Sequence, residues 1–419
     1  MTSIPRYVLL FIVFFILRAA VALLIDATTD VVKVADIYEQ AARNILAGDG
    51  FVGTANNEPI IFRTPAYPYF VAAVYYLFGV GNHLALLMFQ AVLDALTGLL
   101  IYWTGVKMVN SKAAILAGIL FAIYPLSAYY TLRVFPESMF TLGMMAVVAS
   151  LVWSVETDRP YRFLLVGLMV GLCALVKPVV MLLAPFIGFV MLLRAPASWR
   201  RVVRNTALMV VGFVVLVSPW SYRNYLVTGH FIPLATGGGY SMWVGYNLTG
   251  DGREDDELDE QTRAQFMEER RAISSYYDTT RNISFEEDRA FMRNAMESVA
   301  SHPRESFILT LKKLYRFWFD IYAPENKWAQ LFAIIMQGGL LLFAIYGAVR
   351  LLLLGHPVHL LLAPVVYLML MHSLVISTLR YSMPTVPVLS LLAVAGLGDL
   401  VYRLLSGSNS NWLKSRVPD

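Results

Sequence analysis

Ten apolar runs, each approaching the length of a membrane crossing, constrain this chain more than any other feature. They lie near residues 7–25, 84–106, 113–131, 139–155, 163–177, 179–193, 205–220, 328–349, 358–376 and 384–405. Crossing the hydrocarbon as a helix takes roughly 20 predominantly apolar residues. One soluble core could not hide so many such runs, and with 58% of its 419 residues hydrophobic, 15% charged and a mean hydropathy of +0.60 the chain has the composition of a membrane protein. The expected fold class is an all-α integral membrane protein with about ten transmembrane helices, juxtamembrane helices in its first external loop and a small external subdomain.

Ala66 to Gly79 is also apolar, but it is short and follows Pro65 and Pro68, so it is expected to be half-inserted. With the amino terminus inside, the cytoplasmic loops carry Lys107, Lys112, Arg159, Arg162, Arg194, Arg200, Arg201, Arg204, Arg403, Lys414 and Arg416, as the positive-inside bias requires. Residues 26–82 and 221–327 then lie outside. The second of these holds 13 Lys and Arg against 17 Asp and Glu, in a chain whose net charge is +4. The expected domains are a membrane module over 1–220 with its external loop at 26–82, an external subdomain over 221–327, and membrane helices with a short cytoplasmic tail over 328–419. Within the subdomain, Asp251 to Glu260 reads as a solvated charge run, and "FILTLKKLYRFWFDIYA" as a helix lying at the headgroups.

Several chemistries find no footing. Cys173 is the single cysteine and lies in an apolar run, and there is no Walker loop, HExxH or CxxC. The sequons at Asn247 and Asn282 read as chance, and no nucleic-acid partner is expected.

In the first loop, Asp36, Glu39, Gln40 and Arg43 recur at helical spacing, as do Tyr38, Ala41, Ala42 and Ile45, giving a short amphipathic helix closed by Gly48 and Gly50. Such a helix would lie on the bilayer with its apolar face down. Asp36 in its first turn is either a capping acid or a functional carboxylate.

The surroundings of Asp36 carry a resemblance. The "ILAGDGF" helix end, "FRTPAYPYFVAAVYYLFG", "LRVFPES", "LVKPVVMLLAPF", "SPWSYRNYLVTGHFIPLATGGGYSMWVGYN" and "LRYSMPTVPVLSLL" follow one another in an order and spacing that resembles the GT-C superfamily of membrane glycosyltransferases. Within it, the chain looks closest to the branch of protein O-mannosyltransferases and lipid A aminoarabinose transferases. The resemblance implies transfer of a sugar from a polyprenyl-phosphate carrier to an acceptor hydroxyl on a glycolipid, polysaccharide or protein at the outer face of the membrane, usually with inversion. An external-loop carboxylate would be the general base. Asp36 matches it by position; the lipid A enzymes carry adjacent acids there, whereas here Ile37 follows and the next acid is Glu39, the alternative base.

A hydroxyl needs a carboxylate to take its proton, and a lipid phosphate leaving group needs cations. Arg63, Arg133, Lys177, Arg223 and Arg380 all fall in the first loop or at external ends of runs. Each either binds the donor phosphate or snorkels to the headgroups; Lys177 and Arg380 stand out because each marks a very short external turn. Arg18 is read as snorkelling outward, or else joining that ring, and Asp94 as facing the interior. Glu137 is expected to pair locally with Arg133. Tyr38 and Tyr67 are candidate substrate contacts, although an interfacial belt would account for Tyr67, Tyr69 and Trp243. "TGGGY" at 236–240 reads as a phosphate nest or a flexible turn. No catalytic metal and no cofactor are expected, because the first loop lacks converging oxygen ligands. The expected home is a bacterial cytoplasmic membrane. The rival class is a secondary transporter or lipid flippase using Asp94 and Arg18, against which stands the absence of a repeat between halves.

Overall fold

The computed structural model describes residues 5–28, 37–53, 58–157, 159–274, 282–321, 326–406 and 412–413. Among these the regular elements are all helices, with one isolated bridge between Val52 and Pro59. Every expected apolar run is a helix. Six are long and apolar enough to cross alone: α1 (Arg6–Thr28), α4 (His83–Met108), α7 (Glu137–Val155), α10 (Trp199–Thr228), α15 (Lys327–Leu353) and α17 (Val386–Ser406). A seventh crossing is made by α5 (Ser111–Ile123) and α6 (Pro125–Thr131) only if the pair, bent by 56°, counts as one. Pro125 has no N–H to continue the ladder, and it sits at the break. The runs at 163–177, 179–193 and 358–376 form the shorter helices α8 (Tyr161–Val176), α9 (Leu183–Arg194) and α16 (His359–Leu374).

Glycine brings the long helices together. A Cβ on Gly347 of α15 would lie 1.9 Å from the Leu392 carbonyl oxygen of α17, and one on Gly396 would lie 2.4 Å from that of Phe343. Gly167 of α8 and Gly212 of α10 meet in the same way. In lipid, where apolar contact with a neighbour gains nothing over contact with acyl chains, such backbone approach is what favours association.

The first loop folds onto the protein. Its helix α2 (Ile37–Ala47) ends at Gly48 and Gly50, both with positive φ, as the sequence predicts. Its apolar face does not lie on the bilayer: Ala41 and Ala42 are buried in clusters with Phe51 and Ile60 on one side and with Tyr67 and Val71 of α3 (Ala66–Phe78) on the other. A ready protein surface removes those side chains from water as well as a membrane would.

The segment expected to be external follows α10, which runs on through Pro219 to Thr228. It contains α11 (Gly238–Tyr246), α12 (Glu260–Ile273), α13 (Phe285–Ser301) and α14 (Pro303–Phe319). A capping box of Ser284 and Glu287 starts α13, and Tyr240, Trp243, Phe266 and Phe291 form the core between the helices. The acidic tract is solvated at Asp259 and Glu260 and paired elsewhere: Asp251 meets Lys312 at 2.7 Å and Arg316 at 2.6 Å, while Arg253 bridges Glu257 and Asp320. α14 presents Phe307, Ile308, Leu311 and Tyr315 outward, as a headgroup helix would, but its cations Lys313 and Arg316 point inward and are buried. Lys313 donates to the carbonyls of Gly245 and Val375, each at 3.0 Å, and sits 3.6 Å from the Tyr246 ring centre.

Candidate functional site

The start of α7, the junction between α8 and the short turn Pro178–Val180, and the 3-10 helix Leu379–Thr385 meet at one end of the helix bundle. Glu137, the first residue of α7, is 2% exposed and its Oε1 accepts from Lys177 Nζ at 2.7 Å and from Arg380 Nε. Lys177 stands 5.4 Å from the ring centres of both Phe140 and Tyr381, Tyr381 stacks on His372 at 4.3 Å, and the Arg380 guanidinium lies 3.7 Å over Phe135. Arg133 shares the Phe135 ring at 5.9 Å and donates to the Tyr129 hydroxyl. Arg63 lies over Phe62 and Tyr38 at 3.9 and 5.6 Å, within electrostatic reach of Lys177.

Two cations, Lys177 and Arg380, therefore share one carboxylate, and Arg63 and Arg133 stand beside them through Lys177 and the Phe135 ring. Three of the cluster's polar atoms are buried without a hydrogen-bond partner among the described residues: Arg63 Nε, Arg133 Nε and Glu137 Oε2. Uncompensated positive charge in a low-dielectric site with idle donors suits an anion. Lys177 and Arg380 side chains keep 14% and 25% of their exposure, so an anion has a way in. Glu254 and Glu257, between α11 and α12, act electrostatically on Tyr381.

The remaining expectations divide. Arg223 is not brought to the cluster: it donates to the carbonyls of Ile60 at 2.8 Å and Phe51 at 3.2 Å, fastening the first loop to α10. Glu39 is 1% exposed and accepts from Arg43 at 2.6 Å and His83 at 3.2 Å. Burial pushes its carboxyl up, but the hydrogen bonds from Arg43 and His83 outweigh that and hold it below the usual carboxylate range. Asp36 lies outside the described residues; Ile37, which follows it, opens α2, and Tyr38 borders Arg63 and acts on Arg380. Tyr67 is a core residue, fully buried edge-on to Tyr38 with its hydroxyl donating to Gln90 at 3.0 Å, so its ring offers no face to a ligand. Trp243 is buried too; of the expected belt only Tyr69 is exposed. The glycine triplet is neither a phosphate nest nor a loose turn, because the amides of Gly239 and Tyr240 already bind the Asp288 carboxylate at 2.8 and 3.1 Å.

Arg18 neither snorkels nor joins the cluster. It is fully buried, 3.4 Å from Asp94, and donates to the carbonyls of Phe121 and Tyr124 at the α5–α6 break. Thr131 and Ser138 complete the shell of Asp94. The local Glu137–Arg133 pair gives way to the long-range pairs described above, which sequence reasoning missed although "FPES" and "LRYSMP" both drew notice. Among the described residues no three His, Cys, Asp or Glu side chains come together as a metal would need.

The fold is similar to that of solved archaeal oligosaccharyltransferases. The archaeal oligosaccharyltransferase AglB from Archaeoglobus fulgidus, solved in complex with an inhibitory peptide and a dolichol-phosphate, superposes with a TM-score of 0.59 at 12% identity over 98% of this chain and 53% of its own. A structure of the oligosaccharyltransferase from the same organism, tethered to an acceptor peptide, gives 0.55 at 11% identity over 99% and 53%. The chain thus spans about half the length of these proteins. ArnT from Cupriavidus metallidurans bound to undecaprenyl phosphate gives 0.45 at 16% identity over 97% and 82%. In sequence, residues 62–222 match the dolichyl-phosphate-mannose-protein mannosyltransferase family, a stretch that includes Arg63, Arg133, Glu137 and Lys177. Among proteins of curated function none matches. The resemblance drawn from the sequence motifs and the one found by comparison are the same.

Proposed function

We propose that this multi-pass membrane protein transfers a sugar from a polyprenyl-phosphate carrier to an acceptor hydroxyl at the external face, in the synthesis of a glycolipid, envelope glycan or glycoprotein, with inversion. The observation that carries the reading is the cluster of Arg63, Arg133, Lys177, Arg380 and Glu137, with donors left idle. In the reaction the acceptor oxygen attacks the anomeric carbon and its proton passes to Asp36. The bond from that carbon to the phosphate oxygen breaks, and its electron pair stays on the phosphate. Charge grows on the leaving oxygen, where fixed cations lower the barrier most. A transporter would need Arg18 and Asp94 open to a pathway, but they face one another, with Arg18 also held by backbone carbonyls and Asp94 by the Thr131 and Ser138 hydroxyls.

Direct binding of a polyprenyl-phosphate lipid to the purified protein tests the reading. Lys177→Met or Arg380→Gln should each weaken binding by about 1.5 to 3 kcal/mol, the scale of a hydrogen bond to a charged group, or roughly ten- to hundredfold. Normal binding by both variants would sink it.

A further inference from the structure

Among the described residues, Glu137 is the carboxylate that Lys177 and Arg380 share, and its geometry is unusual for an ion pair. One oxygen receives both Lys177 and Arg380 while the other, Oε2, is buried and unpartnered. Had the pairing served only stability, both oxygens would be expected to be satisfied, since a buried idle acceptor is destabilising.

We infer that Glu137 is a positioning residue with a charge-balancing role: it holds Lys177 and Arg380 in place before the lipid arrives, and by repelling the bound phosphate it lets the spent carrier leave. The inference rests on the reading of the cluster as a lipid-phosphate site. The donor is a phosphodiester with one negative charge. Breaking the bond to the sugar leaves a phosphate monoester, whose second ionisation falls near pH 6, so at neutral pH the product carries close to two. Four cations and one carboxylate give the cluster a formal charge of +3. Without Glu137 it would be +4, and the gain in attraction would fall most heavily on the product. Coulomb energy is linear in charge, so a repulsion that weakens the singly charged lipid about tenfold weakens the doubly charged one about a hundredfold. Glu137 thus shifts discrimination away from the product.

Glu137→Gln removes the charge but keeps a carbonyl oxygen for Lys177 and Arg380. The test measures the affinity of the purified, full-length protein at pH 8 for a C55 polyprenyl phosphate and for its methyl diester, which carries a single charge. The variant should bind the diester about tenfold and the monoester about a hundredfold more tightly than the wild type. The double variant Glu137→Gln, Lys177→Gln returns the formal charge to +3 and should restore the wild-type ratio to within about twofold; it also serves should the single variant fold poorly. A merely structural glutamate would move both lipids by the same factor, and such a result, or weaker binding of both, overturns the inference while leaving the lipid-phosphate reading intact. If the wild type binds neither lipid, that reading falls, and the inference with it.

Discussion

Two carboxylates of the first loop, Asp36 and Glu39, are the candidates for the general base of the proposed transfer, and the neighbours of Glu39 argue against it. Glu39 is turned into the protein and engaged by Arg43 and His83. Replacing it with Gln should destabilise the protein by about 1 to 3 kcal/mol, the effect of weakening hydrogen bonds to a buried charged group. The turnover of what remains folded should stay near wild type. Asp36→Asn preserves size and capping ability, so a capping role predicts a stability change of a few tenths of a kcal/mol. As general base its loss should lower turnover by roughly 10² to 10⁴ with donor binding unchanged. Steady-state transfer assays on both variants decide between them; an active Asp36→Asn beside an inactive Glu39→Gln would reverse the assignment. Lys177 and Arg380 were legible as a pair because a very short turn between apolar runs leaves a cation few other uses. Glu137 was not, since its partners lie 40 and 243 residues away and a local arginine offered itself first. Nor could the pattern of an amphipathic loop say whether Tyr67 faces ligand or core, because both demand an aromatic ring.

The helices themselves were legible wherever apolar length alone decides, and less so where two surfaces compete for the same face. α2 is the example: its stripes were read correctly, but a bilayer and the buried side of α3 satisfy an apolar stripe equally well. α14 shows the converse, with its apolar face outward and Lys313 inward. Burial pushes the Lys313 ammonium down to about 7, and Arg316 adds repulsion. Between that value and the 10.5 of an ordinary lysine, the unfolded chain holds a proton that the folded chain does not, so folding stability rises with pH across this window. Below about pH 7 both forms are protonated and the dependence disappears. Thermal unfolding in detergent should therefore show a midpoint that climbs from pH 7 to 9.5. In Lys313→Met the climb should be smaller; an unchanged slope would show that the ammonium is solvated.

At the scale of the whole molecule, ion pairs mark both ends of α7. α7 has Glu137 and its cations at its first residue, and just past its last residue Glu156 meets Lys107 at 3.2 Å and Arg162 at 3.9 Å. Its 19 residues set these ends about 28 Å apart, close to the thickness of the hydrocarbon. A cysteine introduced at position 255, in a Cys173→Ser background, should react with an impermeant reagent on intact cells, whereas one at 159 should react only after permeabilisation. The reverse pattern would invert the topology and put the candidate site in the cytoplasm. The buried Arg18 has a bearing on biogenesis. It leaves the ribosome about a hundred residues before the carbonyls of Phe121 and Tyr124 that will receive it, and well before Asp94. An unpaired arginine is poorly tolerated in lipid, so α1 has to wait at the translocon or the interface until α4, α5 and α6 have followed. The first crossing is therefore completed by the fourth, fifth and sixth helices, and the amino-terminal third of the protein enters the membrane as one unit.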